Sequence, residues 1–154
     1  MSEILKTILE TDSIARVNLA FMDKAHFEEV QIVKDLGELI TAYQDETIES
    51  DATGQYEEKI TVMLITWLRH TIASFSAENE LMQQINFPTM QLHTQEHETE
   101  LNRIKRIVRL WKTDKNITLL ADFVFNFWPN WLIAHINSMD IMMARFAVMN
   151  GYRA

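Results

Sequence analysis

Apolar residues recur at three- and four-residue steps along most of the chain, which is the spacing of a helix with one buried face. The first such stretch predicts a long helix from Ile14 to Tyr43. The polar and acidic segment 44–55, which contains Gly54, predicts the first connection. The apolar stripe of this first helix consists of Val17, Phe21, Val30, Val33, Leu36 and Ile40.

The same spacing predicts three further helices. It resumes at Tyr56 and stops before Pro88, a residue suited to the first turn of a new helix. The third helix is predicted to run to Trp111, because the polar string KTDKN follows it. A fourth begins near Ile117 or, if Pro129 breaks it, just before Trp131.

Four amphipathic helices with short connections predict an all-α fold, an antiparallel up-down four-helix bundle in a single domain, 1–154. The chain has only three glycines and two prolines, too few for the many turns of an all-β fold. The first dozen residues, which include ILKTIL, predict a short extra N-terminal segment that docks on the bundle or mediates homo-oligomerisation.

Composition narrows the classes of function. The net charge is −8 without a basic block, so we expect no nucleic-acid partner. The absence of cysteine excludes disulfides, thiolate zinc sites and iron–sulfur clusters, so that His, Asp or Glu must hold any metal. The N-terminus lacks the pattern of a secretory signal and no uncharged apolar run reaches membrane length, so we expect a soluble cytoplasmic protein without membrane association.

Histidine and acidic residues supply the candidate chemistry. His93 and His97 lie four residues apart on the predicted third helix, a spacing of ~40° and ~6 Å that lets both rings reach one metal. Such a pair also arises by chance on a surface helix. Glu78 lies on the preceding helix and comes to a similar height in a helical hairpin, although a lone glutamate in AENE is usually solvated.

The string WLIAHINSMD places His135 and Asp140 in a strongly apolar helix. A buried aspartate there needs a cation, a donor or water. Their five-residue spacing separates them by ~140° on an ideal helix, so periodicity alone does not bring both to one centre. A core histidine with an aspartate on the far face is the alternative. His26, in FMDKAHFEEV, would by itself be an ordinary helix histidine.

Three strings, FMDKAHFEEV, SFSAENELMQQINFPTMQLHTQEH and WLIAHINSMD, resemble in order three motifs of the hemerythrin family. These are its first-helix histidine, its HFxxEExxM...YPxxxxHxxxH block and its WLxxHIxxxD ending. The resemblance extends from Asp23 to Asp140. It implies two non-haem irons in the bundle core. In that arrangement His93, His97 and His135 hold one iron, His26 and a second-helix histidine hold the other, and Glu78 and Asp140 bridge them.

The chain departs from this family pattern at Ser74, which stands where the second-helix histidine is expected. His70 lies one turn earlier, ~6 Å along a regular helix, and is a candidate replacement only if that helix shifts or bulges. Without the imidazole, the second iron site would be weak and more open to exogenous ligands. The resemblance also makes Ser74, Trp131 and Leu132 pocket-lining residues, with simple core packing as the alternative for both Trp131 and Leu132.

These observations predict a protein that binds oxygen, or a related diatomic such as nitric oxide, for storage, delivery or sensing, rather than an enzyme. A di-iron oxidase or peroxidase-like enzyme that uses the more open iron is the first alternative. A bundle with a partly decayed metal site is the second. The metal content distinguishes the decayed bundle from the other two hypotheses. Turnover of peroxide distinguishes the oxidase or peroxidase-like enzyme from the oxygen-binding protein.

Overall fold

The computed structural model describes residues 14–45 and 50–152. They form four helices, α1 (Ala20–Gln44), α2 (Ser50–Gln84), α3 (Met90–Asp114) and α4 (Ile117–Met149). Neighbouring helices pack against each other around one core. The predicted all-α four-helix bundle is therefore confirmed. The predicted extra N-terminal segment lies outside the described residues.

Large aromatic side chains fill the centre of the bundle. Trp67, Trp111 and Trp128 are fully buried. The Trp67 ring lies 5.7 Å from that of Trp128 and 5.9 Å from that of Phe123, measured between centroids. Burying one such side chain contributes roughly 1.5–3 kcal/mol, so this layer fixes α2 firmly against α4.

The first helix begins later than its apolar pattern predicts, at Ala20 instead of Ile14. Asn18 has a φ of 64° in the left-handed region, which a helix cannot continue through. The Asp23 carboxylate accepts hydrogen bonds from the backbone N–H groups of Val17 (2.8 Å) and Asn18 (3.1 Å). Val17 is buried although it is not helical, and this burial explains why the apolar stripe extended too far.

The connections also differ in detail from the prediction. Helix α2 begins at Ser50, so the first loop is shorter than the predicted segment 44–55, and Gly54 lies inside the helix. Pro88 lies in the turn before α3, which begins at Met90, instead of in its first turn. Helix α3 ends at Asp114, three residues beyond the predicted Trp111, and Lys115, with a φ of 49°, closes it.

Helix α4 is continuous through Pro129 and begins at Ile117, the first of the two predicted starts. It contains two π-helical turns, Phe123–Phe127 and Ile136–Asp140. By length and composition alone α4 is apolar enough to cross a membrane, but 44% of its most apolar window is buried inside the bundle. The core helix of a bundle meets the same criterion, so this is weak evidence for a membrane span.

Candidate metal centre

Five buried side chains from three helices converge in the bundle. Each offers one nitrogen or oxygen atom, and these atoms all lie within 4.8 Å of one another. All five side chains are at most 3% exposed. Helix α2 contributes Glu78, α3 contributes His93 and His97, and α4 contributes His135 and Asp140. The structure thus assembles five of the predicted ligands into one cluster.

A π turn brings His135 and Asp140 to the same face of α4. In this turn the N–H of Ile141 donates to the carbonyl of Ile136, five residues earlier. Such a turn is one residue wider than an α-helical turn, so side chains five apart overlie each other. The His135 Nε2 atom consequently lies 3.0 Å from the Asp140 Oδ1 atom. The alternative that Asp140 occupies the far face of the helix is wrong.

Asp140 contacts histidines from three helices, α1, α3 and α4. Its Oδ1 lies 3.1 Å from Nε2 of His93, and its Oδ2 lies 2.9 Å from Nε2 of His26 on α1. Burial alone would raise the pKa of Asp140, but hydrogen bonds with His135, His26 and His93 hold it well below its usual range. Asp140 therefore carries a negative charge, and His26 reaches the cluster through it.

The pKa of Glu78 is shifted in the opposite direction to that of Asp140. Its Oε1 lies 3.6 Å from Nε2 of His93 and 3.4 Å from Nε2 of His97, yet it makes no hydrogen bond. Burial, reinforced by the charge on Asp140, raises the pKa of Glu78 well above its usual range. The carboxyl group of Glu78 is thus a buried oxygen donor that lacks a positive partner.

Hydrogen bonds behind the cluster orient two of its imidazole rings. Nδ1 of His97 donates to Oδ1 of Asn79, and Nδ1 of His135 donates to Oε1 of Glu96, each over 2.8 Å. The Nε2 atoms of both rings therefore face the cluster, where Nε2 of His97 has no hydrogen-bond partner and Nε2 of His135 lies 3.0 Å from Oδ1 of Asp140. Metal-binding histidines are commonly oriented by such outer contacts.

The pKa values of the two oriented rings are shifted in opposite directions. Burial, together with the neighbouring His93 and His135, lowers the pKa of His97 to about 2. Burial would also lower the pKa of His135, but the carboxylates of Asp140 and Glu96 raise it above its usual value. His97 is therefore a neutral imidazole with a free nitrogen lone pair.

Aromatic rings clamp the same two imidazoles from the outside. Phe75 stacks on His97 with centroids 4.0 Å apart, and Trp131 stacks on His135 at 4.6 Å. Trp131, predicted as a pocket-lining residue, thus contacts a cluster histidine directly. Leu132 is buried, and Ser74 lies half-buried one turn before Glu78.

His70 does not join the cluster. Helix α2 is regular through this region, and Nε2 of His70 lies 3.3 Å from Oε2 of Glu28, which is part-exposed. The bulge that would carry His70 toward the centre is absent from this described part of α2. The regular-helix alternative therefore agrees with the structure.

Two buried glutamates close to the centre were not predicted. Glu29 accepts hydrogen bonds from Nε1 of Trp67 (3.0 Å) and Oγ1 of Thr71 (3.1 Å). Glu100 is fully buried. A sequence signal existed, because each lies three residues after a histidine, His26 and His97, on the same helical face. Nothing comparable in the sequence indicated the roles of Asn79 and Glu96.

The donor set fits a metal ion. Three imidazole nitrogens and two carboxylates lie together without cysteine, and Glu78 Oε1 and His97 Nε2 lack hydrogen-bond partners. Buried polar atoms are normally paired, so unpaired atoms that converge on one point form a site suited to a cation. Imidazole suits iron, zinc, copper and nickel, whereas carboxylates favour harder cations.

Comparison with known proteins agrees with the motif resemblance. The chain is 25% identical over 138 residues to a bacteriohemerythrin of Aquifex aeolicus (strain VF5), a match that covers 90% of this chain and 96% of the relative. It is 31% identical over 88 residues to a bacteriohemerythrin of Ralstonia nicotianae, covering 57% of this chain and 63% of the relative. No family model matches the chain. No solved structure matches it either. The chain is thus hemerythrin-like, with a buried cluster suited to a metal.

Proposed function

We propose that this chain binds non-haem iron at the buried cluster and there binds oxygen or a related diatomic such as nitric oxide. The observation that carries the proposal is the convergence of five buried donor atoms within 4.8 Å. The similarity to bacteriohemerythrins supports iron as the metal. Storage, delivery or sensing in the cytoplasm is the role that we propose for it.

Distinct residues would serve distinct positions in such a centre. His93, His97 and His135 would hold one iron, Glu78 and Asp140 would be shared, and His26 would serve a second iron. Iron in this centre would supply reversible binding of the diatomic. The hydrogen bonds to Asn79 and Glu96 keep Nε2 of His97 and His135 available without any rearrangement of the rings.

An apolar pocket supports a small uncharged ligand. It has a volume of about 540 Å³ and is lined by Phe87, Leu92, His93, Met142 and Phe146, among others. His93 belongs to both this pocket and the cluster. A diatomic gas favours apolar surroundings over water, and most of these walls are apolar, although Arg145 also lines the pocket. The pocket therefore provides a suitable approach to one side of the centre.

An oxidase or peroxidase-like activity is the second candidate function. The observation that favours it is Ser74, a small side chain one turn before Glu78, where the resemblance leads us to expect a ligand. A second iron with fewer imidazoles would leave more positions open to peroxide or substrate. Turnover of peroxide by the iron-loaded protein, compared with free iron, tests this alternative.

The test of the main proposal begins with protein loaded anaerobically with iron(II). We expect bound iron and a visible absorption band that grows in oxygen and fades when oxygen is removed. His97→Ala should lose both, whereas the matched control His70→Ala should keep both. A wild-type protein that binds no iron would overturn the proposal, and so would a His97→Ala variant that behaves like wild type.

A further inference from the structure

The apolar pocket beside His93 has a rim that is open to solvent. Three large apolar side chains form part of this rim: Leu92 is 58% exposed, Met142 is 56% exposed and Met149 is 84% exposed. Single exposed apolar residues are common on soluble proteins, whereas several that line one cavity mark an interaction surface. The pocket is therefore suited to an apolar occupant that covers its rim.

The described part of the chain begins next to this pocket. Arg16 lines a smaller cavity together with Arg145 and Met149 of α4, and both of these α4 residues also line the apolar pocket. The two cavities therefore adjoin. Ile14, two residues before Arg16, packs against the bundle core. Residues 1–13, which lie outside the described residues, are thus connected to the bundle beside the apolar pocket.

The sequence of residues 1–13 contains an apolar face of suitable size. Four of its apolar residues share one face of a helix, because they recur at one- and four-residue steps. They are Ile4, Leu5, Ile8 and Leu9. This face is ~8 Å long, and the pocket extends ~16 Å along α4 from Ser138 to Met149. A helix of thirteen residues is ~20 Å long, so the apolar face can reach the pocket from its attachment.

The charges of the two surfaces are complementary. Residues 1–13 contain three acidic residues and one lysine. Arg16 and Arg145 are exposed where the two cavities adjoin, and neither makes an ion pair with another residue that the structure describes. Exposed ion pairs contribute little to affinity, so apolar contacts would supply most of the binding and the two arginines would favour an acidic occupant.

We propose that residues 1–13 dock as an amphipathic helix in the apolar pocket and cover the side of the centre at His93. The occupant belongs to the same chain, so its effective concentration at the pocket exceeds that of a second copy in dilute solution. Docking itself needs no metal. Its effect on ligand entry rests on the proposed function, because His93 belongs both to the pocket and to the cluster of donor atoms.

Disulfide trapping tests the docking, and the chain is suited to it because it has no cysteine. In the full chain with Ile8→Cys and Met142→Cys, mild oxidation should link the two positions within one molecule. The matched control combines Ile8→Cys with Val62→Cys and should stay unlinked. Val62 is 57% exposed, as open as Met142, but it lines a different cavity between α1 and α2.

Two results of the trapping experiment would overturn the proposal. A disulfide between two molecules would show that a second copy occupies the pocket, and the absence of any disulfide with Met142→Cys would show that residues 1–13 lie elsewhere. If this variant does not fold, Leu5→Cys with Leu92→Cys repeats the test at another exposed position of the rim. Mass spectrometry distinguishes linked single chains from linked pairs.

The effect on ligand entry is measured with the linked protein after anaerobic loading with iron(II). On mixing with oxygen, the absorption band should develop on the order of ten-fold more slowly than in Ile8→Cys alone, because a fixed cover cannot open. Equal rates would overturn the covering role. Failure of both proteins to bind iron would overturn the proposed function, whereas the docking would still be decided by the disulfide result.

Discussion

The two sides of the centre are built differently. On the α3–α4 side, His97 and His135 are held by outer hydrogen bonds and by stacked aromatic rings. On the α1–α2 side, His26 contacts Asp140 but its Nδ1 lacks a partner, and Ser74 offers no imidazole. The first side is therefore preorganised for a metal before any metal binds. The second depends on carboxylates.

In the proposed two-iron arrangement, this difference means that the imidazoles of α3 and α4 set the affinity of one position and His26 that of the other, while Glu78 and Asp140 serve both. Preorganised ligands lose little freedom on binding, whereas carboxylates that lack partners depend on the ion for their stability. Changes on the α3–α4 side should thus affect all bound metal. Changes at His26 or Ser74 should affect only the second ion.

The largest effect is expected from removal of one imidazole on the preorganised side. His93→Ala or His135→Ala should weaken iron binding by about a thousand-fold, or about 4 kcal/mol, because a strong neutral ligand is lost and cannot be replaced. Elemental analysis after dialysis measures this loss. Full iron content in both variants would show that the α3–α4 side is not the principal site.

The pH dependence of the metal-free protein tests the burial of Glu100 on α3. Burial raises the pKa of Glu100 to about 7, an effect that Arg103 only partly opposes. An acid with a raised folded pKa favours the protonated form, so this group costs stability as pH rises from its unfolded pKa toward 7. Glu100→Gln cannot ionise and should therefore be more stable than wild type by about 3 kcal/mol at pH 8.

The same advantage should disappear near pH 4, where Glu100 is protonated in both the folded and unfolded states. Chemical denaturation of both proteins at the two pH values measures it. The other titrating groups are common to both proteins and largely cancel in the comparison. An equal difference at both pH values would mean that Glu100 does not carry a buried charge.

Outer hydrogen bonds should have a smaller effect than the ligands that they orient. Asn79→Ala and Glu96→Ala each remove the acceptor behind one imidazole and should weaken metal binding by about 10–100-fold. Glu98→Ala, at an exposed position on the same helix as Glu96, is the control. Competition with a chelator gives the affinities. Unchanged affinity in both variants would assign the ring orientation to the stacked aromatic residues instead.

The smallest change in affinity is expected from filling the gap on the α1–α2 side. Ser74→His should strengthen binding of the second ion by about ten-fold, since an imidazole there lies on the face of Glu78. The oxygen-dependent absorption band should then persist longer before it is lost irreversibly. Weaker metal binding would show that other side chains already occupy this space, and no change would show that Ser74 does not face the centre.

The bundle was predictable from sequence because the apolar stripes follow helical periodicity. The predictions were wrong where tertiary contacts determine the backbone conformation. Val17 belongs to the stripe of α1 but is buried in a non-helical segment before it. His135 and Asp140 could not be joined by ideal helical geometry, because the π turn that joins them leaves no periodic signal. Only the motif resemblance brought these two residues together.

The candidate centre was likewise only partly predictable. Histidines are few, so each could be considered separately, whereas the chain has 22 acidic residues, most of which are expected on the surface. Glu29 and Glu100 carried the i,i+3 spacing, but that spacing alone does not show burial. Asn79 and Glu96 act across helices, and their contacts depend on the rotation of each helix in the bundle.

The central claim is that the five buried donors bind iron, and thermal unfolding without and with iron(II) tests it most directly. A ligand that binds only the folded state stabilises it by about 2.7 kcal/mol at a concentration one hundred times its Kd. We therefore predict a clear anaerobic rise in Tm for wild type and for His70→Ala, and none for His97→Ala. An unchanged Tm in wild type, or an equal rise in His97→Ala, would contradict the account.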